Sequence, residues 1–371
     1  MIKVLWISPT FNHYKARFLD HLAMEQGIEL TVLAGTGREG KGDAKITGQW
    51  SFTLLSCEVS KSHFGFSKIV RVKLSEVFEL YDWILIPAEK KNLLLLVYAA
   101  RLRASGLSRG KRIRLVSYNH AGFKNKDGKT AVITKLIAKC LYNVYDRVIF
   151  YTQGSCEWAI TQKIVPKRKA YWVNNTIDDV EVKKYYIFQY PPINDIRILF
   201  IGRLIPSKRI DLLFDYYKAL KNRLEKSNKT LKLEIIGDGP QRNVVLFHAD
   251  KEKDIIWHGT LIDEKEIAPI MTRCSYVFVP GHSGLSINHA FCYGRPYVTI
   301  ISQFHAPEIE YLENNKNGVL LSGRLETDIQ MLFEFMTDQN TLRHLCNNAY
   351  VKSKHLSVNN WVGQMKAALN A

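Results

Sequence analysis

The chain has 371 residues, 46% of them hydrophobic and 23% charged, with a formal net charge of +17. That length allows two domains with separate cores, and the composition excludes disordered and fibrous classes. No apolar run approaches the roughly 18 residues of a spanning helix, and MIKVLWISPTFNHY lacks the cleavage site of a signal peptide. Cys57, Cys140, Cys156, Cys274, Cys292 and Cys346 are scattered with no C-x-x-C spacing, which reads as free thiols in a reducing cytosol and not as a metal site.

In chain order, KVLWISP reads as a buried strand from the N-terminus onward, followed by the amphipathic helix YKARFLDHLAMEQ. ELTVLAG, SFTLLSC, WILIPA, IRLVSYN, RVIFYTQ and KAYWVNN continue as strands, with a helix expected over TAVITKLIAKCLYNVY. Residues 1–190 hold 30 lysines and arginines against 16 acidic residues. The apolar LLLLVYAA runs into Arg101, Arg103, Arg109, Lys111, Arg112 and Arg114. An amphipathic, basic, Leu-rich segment of this kind suits an anionic membrane surface, although part of the Leu run also reads as core helix.

The polar passage DDVEVKKYYIFQYPPIND interrupts the alternation and reads as a linker. Strands then resume at IRILFIGR, LKLEIIGD, IIWHG, YVFVP, PYVTI and GVLLS, and the tail from Glu326 reads as helices. The expected architecture is α/β: an N-terminal Rossmann-like domain over 1–185, a linker at 186–195 and a C-terminal Rossmann-like domain over 196–355. A terminal helix at 356–371 is expected to return to the first domain. Two doubly wound sheets facing each other across a cleft would place ligands at their strand C-termini.

Three loops carry the chemistry. In GRLIPSKRID, Gly202 ends a strand while Arg203 offers a planar fork and Lys208 a point charge, a pair suited to a diphosphate; a solvated loop is the plain alternative. In GHSGLSINHAF, Gly281 and Gly284 permit close approach of a ligand, and Ser283 or Ser286 can cap the next helix. In EIIGDGPQR, Asp238 sits in a tight turn after a strand and is a donor-side candidate, with capping of the next helix as the plain alternative. His120 in SYNHAGF and His13 in SPTFNHY follow strands and are candidates to meet donor sugar or acceptor, as is Glu89 after WILIPA. No D-x-D is present to bridge a divalent cation, and the absence of G-x-G-x-x-G argues against a nicotinamide dehydrogenase.

The ordered set GRLIPSKRID, EIIGDGP, WHGTLIDEKEIAPIM, YVFVPGHSGLSINHAFCYGRPYVT and HAPEIEYL resembles the C-terminal domain of retaining glycosyltransferases of the family-four type, which have the GT-B fold. The resemblance covers most of residues 198–325, and VNNTID before the linker adds to it. It implies a nucleotide-sugar donor on the second domain, with Arg203 and Lys208 on the diphosphate and the backbone of His258, Gly259 and Leu261 at the base. It implies that Gly281, His282, Ser283, Gly284, Leu285 and Ser286 line the donor sugar and phosphate, with no metal and no other cofactor. The acceptor implied is a lipid-linked or growing bacterial glycan such as an O-antigen, capsule or exopolysaccharide repeat, met on the cytoplasmic face of the membrane. The family's two glutamates of the E-x7-E pattern fall here on Gly281 and His289. A carboxylate accepts from two ribose hydroxyls at once and a neutral imidazole from one, so a dTDP-sugar, a variant site for UDP or GDP, and an inactive scaffold all stay open. A GT-B-type epimerase would need cleft carboxylates; a polyanion or nucleic-acid binder stays an alternative that the charge permits, but no RNA- or DNA-reading motif is present and no nucleic-acid partner is expected.

Overall fold

The computed structural model describes residues 1–9, 11, 13–35, 49–61, 67–70, 72–105, 113–120, 132–193 and 195–370. Arg109, Lys111 and Arg112 of the basic run, and the side chain of His13, lie outside the described residues. The chain divides into two compact units, one of residues 1–175 and 358–371 and one of residues 176–357.

The first unit is built on β1 (Ile2–Ser8), α1 (His13–Ala23), β2 (Ile28–Ala34), β3 (Thr53–Ser56), the antiparallel hairpin β4 (Glu58–Lys61) and β5 (Ser67–Val70), and α2 (Leu74–Phe78). It continues through β6 (Trp83–Leu85), α3 (Leu93–Ala104), β7 (Arg114–Asn119), α4 (Val132–Asn143), β8 (Arg147–Phe150), α5 (Gln153–Thr161) and β9 (Ala170–Trp172). Seven parallel strands pair in the order β3-β2-β1-β6-β7-β8-β9. Their continuous burial, as in Val4 to Ser8, is what a parallel sheet covered by its crossover helices requires. The hairpin was not expected from the sequence, because its two four-residue strands alternate weakly.

The second unit contains α6 (Asp179–Tyr185), β10 (Ile196–Ile201), α7 (Ile210–Glu225), β11 (Leu231–Ile236), α8 (Arg242–Ala249), β12 (Ile255–Trp257) and α9 (Glu264–Arg273). It is completed by β13 (Tyr276–Phe278), α10 (Ser286–Cys292), β14 (Tyr297–Ile300), β15 (Gly318–Leu321), α11 (Leu325–Thr337) and α12 (Gln339–His355). The parallel order β12-β11-β10-β13-β14-β15 reverses direction between β10 and β13, the point at which an open α/β sheet forms its ligand crevice.

The passage read as a linker is partly helical. Asp178 caps α6 by accepting from the amides of Val180 and Glu181, and Val182 and Tyr186 join the core of the second unit. The division therefore falls at Asn175/Thr176, before the 186–195 segment.

The last helix, α13 (Val358–Asn370), groups with the first unit. Trp361 is fully buried there, 4.8 Å from the Phe18 ring, and its indole N–H donates to the Tyr118 hydroxyl at 3.0 Å. The Trp83 indole donates to the Leu369 carbonyl, and Arg147, stacked over Trp83, donates to the carbonyl of Ala368. Trp361→Ala should cost about 3–5 kcal/mol in urea denaturation, from the lost ring contacts and the cavity left behind. Unchanged stability would mean that α13 is not part of this core.

Candidate functional site

At the reversal point, the chain leaving β10 passes Gly202 and Arg203 and closes in a 3-10 turn, Pro206–Lys208. Proline at its start presets φ and gives up an amide that has no partner there. The chain leaving β13 folds back on this turn. The Gly281 amide donates to the Lys208 carbonyl at 3.1 Å and the His282 amide to the Ser207 carbonyl at 2.7 Å. The Lys208 ammonium returns a bond to the His282 carbonyl at 2.6 Å. Burial and the Arg203 guanidinium beside it push the Lys208 ammonium down to about 8, with Glu308 opposing. Two cations held this close with so little solvent form a site whose electrostatic demand is for an anion.

Gly281 accounts for one of the missing glutamates. A Cβ there would lie 2.2 Å from the Ser207 carbonyl oxygen and 2.6 Å from the Lys208 carbonyl carbon. These are backbone atoms fixed by the same hydrogen bonds, so a carboxylate side chain is excluded in this loop geometry. Gly237 meets the same constraint at φ +142°, where an added Cβ would fall 1.9 Å from the Gly202 carbonyl oxygen.

The glycine-rich turn is supported from below. Ser283 is buried, its hydroxyl donating to the Gly281 carbonyl and pairing with Thr299, while Ser286 bonds the Tyr297 hydroxyl at 2.7 Å. The Ser283 amide was expected to face the ligand; it donates instead to Nδ1 of His305 at 3.1 Å. Nε2 of His305 donates to the Ile300 carbonyl, and burial lowers the ring's proton affinity, so one neutral tautomer is fixed. The amides of Gly284 and Leu285 make no hydrogen bond among the described residues and are the ones that a ligand can use. His282 turns its Nδ1 to the Phe304 carbonyl. His305 and Glu308 were not singled out in the sequence, although HAPEIEYL contains both; their roles arise from a contact across 22 residues and from burial.

The loops after β11 and β12 complete the edge. The Asp238 carboxylate caps its own turn by accepting from the Gly239 amide, and its carbonyl accepts from the Leu204 amide. The Gly237 amide donates to the Gly259 carbonyl, joining the two loops. His258 points inward, its Nε2 2.6 Å from Oε2 of the wholly buried Glu234, which also receives Arg197 and Arg273. Burial opposes ionisation of Glu234, but the bonds from Arg273, His258 and Arg197 outweigh it and hold the carboxyl well below the usual range. The imidazole is thus committed to this buried cluster, and the accessible part of the loop is its backbone and the half-buried Leu261. His289 lies one turn into α10, where Nε2 meets Glu264.

In the first unit, Glu89 follows β6 and His120 follows β7, neighbouring strands, so both reach the C-terminal edge of that sheet. His120 is exposed, 6.2 Å from the Tyr151 ring, and Glu89 pairs with Lys91 at 2.6 Å. The backbone of His13 opens α1 after β1.

Residues 195–334 match the family model described as glycosyl transferases group 1. HepE of Anabaena in complex with UDP aligns over 100% of both chains with TM-score 0.70 and 17% identity. A mutant of S. aureus TarM bound to UDP aligns over 100% of both chains with TM-score 0.66 and 11% identity. The pneumococcal O-GlcNAc transferase GtfA, in complex with UDP and GlcNAc, is covered over 98% of its length and 100% of this chain, with TM-score 0.66 and 10% identity. No curated protein sequence matches the chain. At these identities the likeness is one of fold: the chain has the GT-B fold, with two Rossmann-like units, and the match to the group 1 model lies within the second.

Gly281→Glu should therefore fail to restore the family's carboxylate. We expect a drop in melting temperature of several degrees, corresponding to more than about 1 kcal/mol, because backbone must move to admit the Cβ. A variant as stable as the parent would show that the Ser207–Lys208 turn yields freely.

Proposed function

We propose that the protein is a retaining, metal-independent hexosyltransferase that moves a sugar from a nucleoside-diphosphate donor to a lipid-linked or growing glycan in bacterial surface-polysaccharide synthesis. The observation that carries this reading is the Lys208–Arg203 pair, desolvated at the reversal point of a group 1 domain. In this reading the acceptor hydroxyl forms the new bond to the anomeric carbon as the bond to the β-phosphate oxygen breaks. The leaving diphosphate takes both the electron pair and the acceptor proton, so no protein base is required. Lys208 and Arg203 stabilise the charge that develops on that oxygen. His120 is assigned to the reaction centre, and Glu89 and His13 to the acceptor side. Asp238, Gly259, Leu261 and the turn from Gly281 to Ser286 are assigned to the donor.

Lys208→Ala should weaken UDP binding by about tenfold to a hundredfold, the loss of one charge-assisted bond in a desolvated site. Because the free ammonium titrates near 8, binding of the protonated form should weaken as pH rises through that value. Lys208→Arg should abolish this dependence. Isothermal titration between pH 7 and 9.5 measures both, and a flat wild-type profile would remove Lys208 from the phosphate site.

The membrane-surface part of the reading rests on α4 more than on α3. In α3, Leu95, Leu96 and Ala99 are buried and Arg103 pairs with Asp146 at 2.8 Å, so half of the Leu run is core. In α4, Val132, Ile133, Leu136 and Ile137 share one face and are 73%, 70%, 58% and 53% exposed, beside Lys139. An apolar face flanked by lysine on a basic unit suits an anionic leaflet, which supports a peripheral enzyme on the cytoplasmic side. No helix among the described residues is long and apolar enough to cross a membrane. The double variant Ile133→Glu/Leu136→Glu should reduce sedimentation with phosphatidylglycerol vesicles at least tenfold, with a change in stability within about 0.5 kcal/mol. Undiminished binding would dismiss α4 as the docking element.

A further inference from the structure

Ser283, wholly buried in the glycine-rich turn, has each of its polar groups engaged. Its hydroxyl lies 3.1 Å from the Gly281 carbonyl and 3.2 Å from the Thr299 hydroxyl. Its carbonyl accepts from the Ala306 amide at 2.9 Å, and its amide donates to Nδ1 of His305 at 3.1 Å. Gly284 is held by the same neighbours, since a Cβ there would stand 3.4 Å from the Cβ of Ala306. Residues 305 and 306, which lead from β14 into the 3-10 turn Pro307–Tyr311, therefore clamp the Ser283–Gly284 segment. In this clamp the Ser283 carbonyl relies on backbone, whereas the Ser283 amide relies on one side chain, the His305 imidazole.

The two bonds of that ring fix its state. An amide only donates and a carbonyl only accepts, so Nδ1 turns a lone pair to Ser283 and Nε2 a hydrogen to the Ile300 carbonyl at 2.8 Å. Only the neutral imidazole meets both. A proton on Nδ1 would set two N–H groups against each other and leave the buried Ser283 amide without an acceptor. Burial lowers the ring's affinity for that proton; the bond to Ile300 opposes this, and the neighbouring His282 and Lys208 reinforce it. Glu308, in the turn that follows, is the carboxylate of this corner and acts on Lys208.

We propose that His305 is a positioning residue of the donor site: its imidazole takes up the Ser283 amide and so fixes the glycine-rich turn in the orientation that presents the Gly284 and Leu285 amides to the donor's phosphate. His305 acts through the backbone it holds and not by touching the ligand. Without the acceptor, the Ser283 peptide turns its N–H toward another partner, and the two amides that follow turn with it. The proposal rests on the donor-binding reading above and adds that the site is competent only while this ring is neutral. Because the folded ring binds its proton less readily than a free imidazole, competence is complete above the ordinary imidazole range and is lost as the pH falls below it.

The test is isothermal titration of the full chain with UDP. At pH 7.5, His305→Ala should bind about tenfold more weakly than wild type, the effect of one buried donor left unsatisfied. His305→Asn, whose amide oxygen can accept at the place of Nδ1, should bind within about threefold of wild type. As the pH is lowered from 7.5 to 5.0, wild type should lose affinity more steeply than His305→Asn, which has nothing to titrate there. Comparing the two proteins cancels the protonation of UDP's own phosphate. An alanine variant that binds UDP as wild type does overturns the proposal and leaves donor binding intact. So does an asparagine variant as weak as the alanine one, or an acid limb that runs parallel in wild type and His305→Asn. Absence of UDP binding by wild type overturns the donor reading, and this proposal with it. If His305→Ala does not fold, the acid limbs of wild type and His305→Asn decide.

Discussion

Everything at the candidate site depends on the way the chain after β13 is laid against the turn after β10. Two amide-to-carbonyl bonds, from Gly281 to Lys208 and from His282 to Ser207, hold two backbones in contact, and the Lys208 ammonium closes the arrangement on the His282 carbonyl. Backbones approach this closely only where one of them has no Cβ. The glycine at 281 is therefore a structural requirement of this junction, and the carboxylate expected there by resemblance has no room.

The same contact sets the electrostatics. Folding the turn over Lys208 removes its water, while Arg203 adds a like charge nearby, so the ammonium is held less tightly protonated than in solvent. The domain carries that unfavourable state because the loops impose it. An anionic ligand would relieve it, so the electrostatic demand at this edge is for negative charge. On the other side of the sheet edge the cost is met internally: Glu234 is surrounded by Arg197, Arg273 and His258 and needs no ligand. Perturbed groups at the two places thus read differently, one as an open demand and one as a satisfied cluster.

The first unit shows a comparable division between satisfied and exposed surface. Trp361 and Trp83 each place an aromatic body in the core and give their indole N–H to a partner, so both of these donors are met where α13 closes that core. Helix α4 does the opposite, burying Ala138 and Tyr142 while turning four large aliphatic side chains to solvent. Solvent-facing apolar stripes of that size mark interaction surfaces.

Order, type and approximate extent of the long elements were legible in the sequence, because buried parallel strands are continuous apolar runs and their crossover helices show a 3.6-residue period. So were Arg203, Lys208 and the glycine-rich turn, since each is a local pattern at a strand end. The helix at Asp179 was hidden by its tyrosines and charges, and the β4–β5 hairpin by its brevity. The partners of the site residues were out of reach: Glu234 for His258 is 24 positions away, Glu264 for His289 is 25, and His305 for Ser283 is 22. The chain by itself determined which residues arrive at the crevice. Only the tertiary structure decided which hydrogen-bonding atoms remain for a ligand, because that depends on which donors and acceptors the neighbouring loops have already consumed.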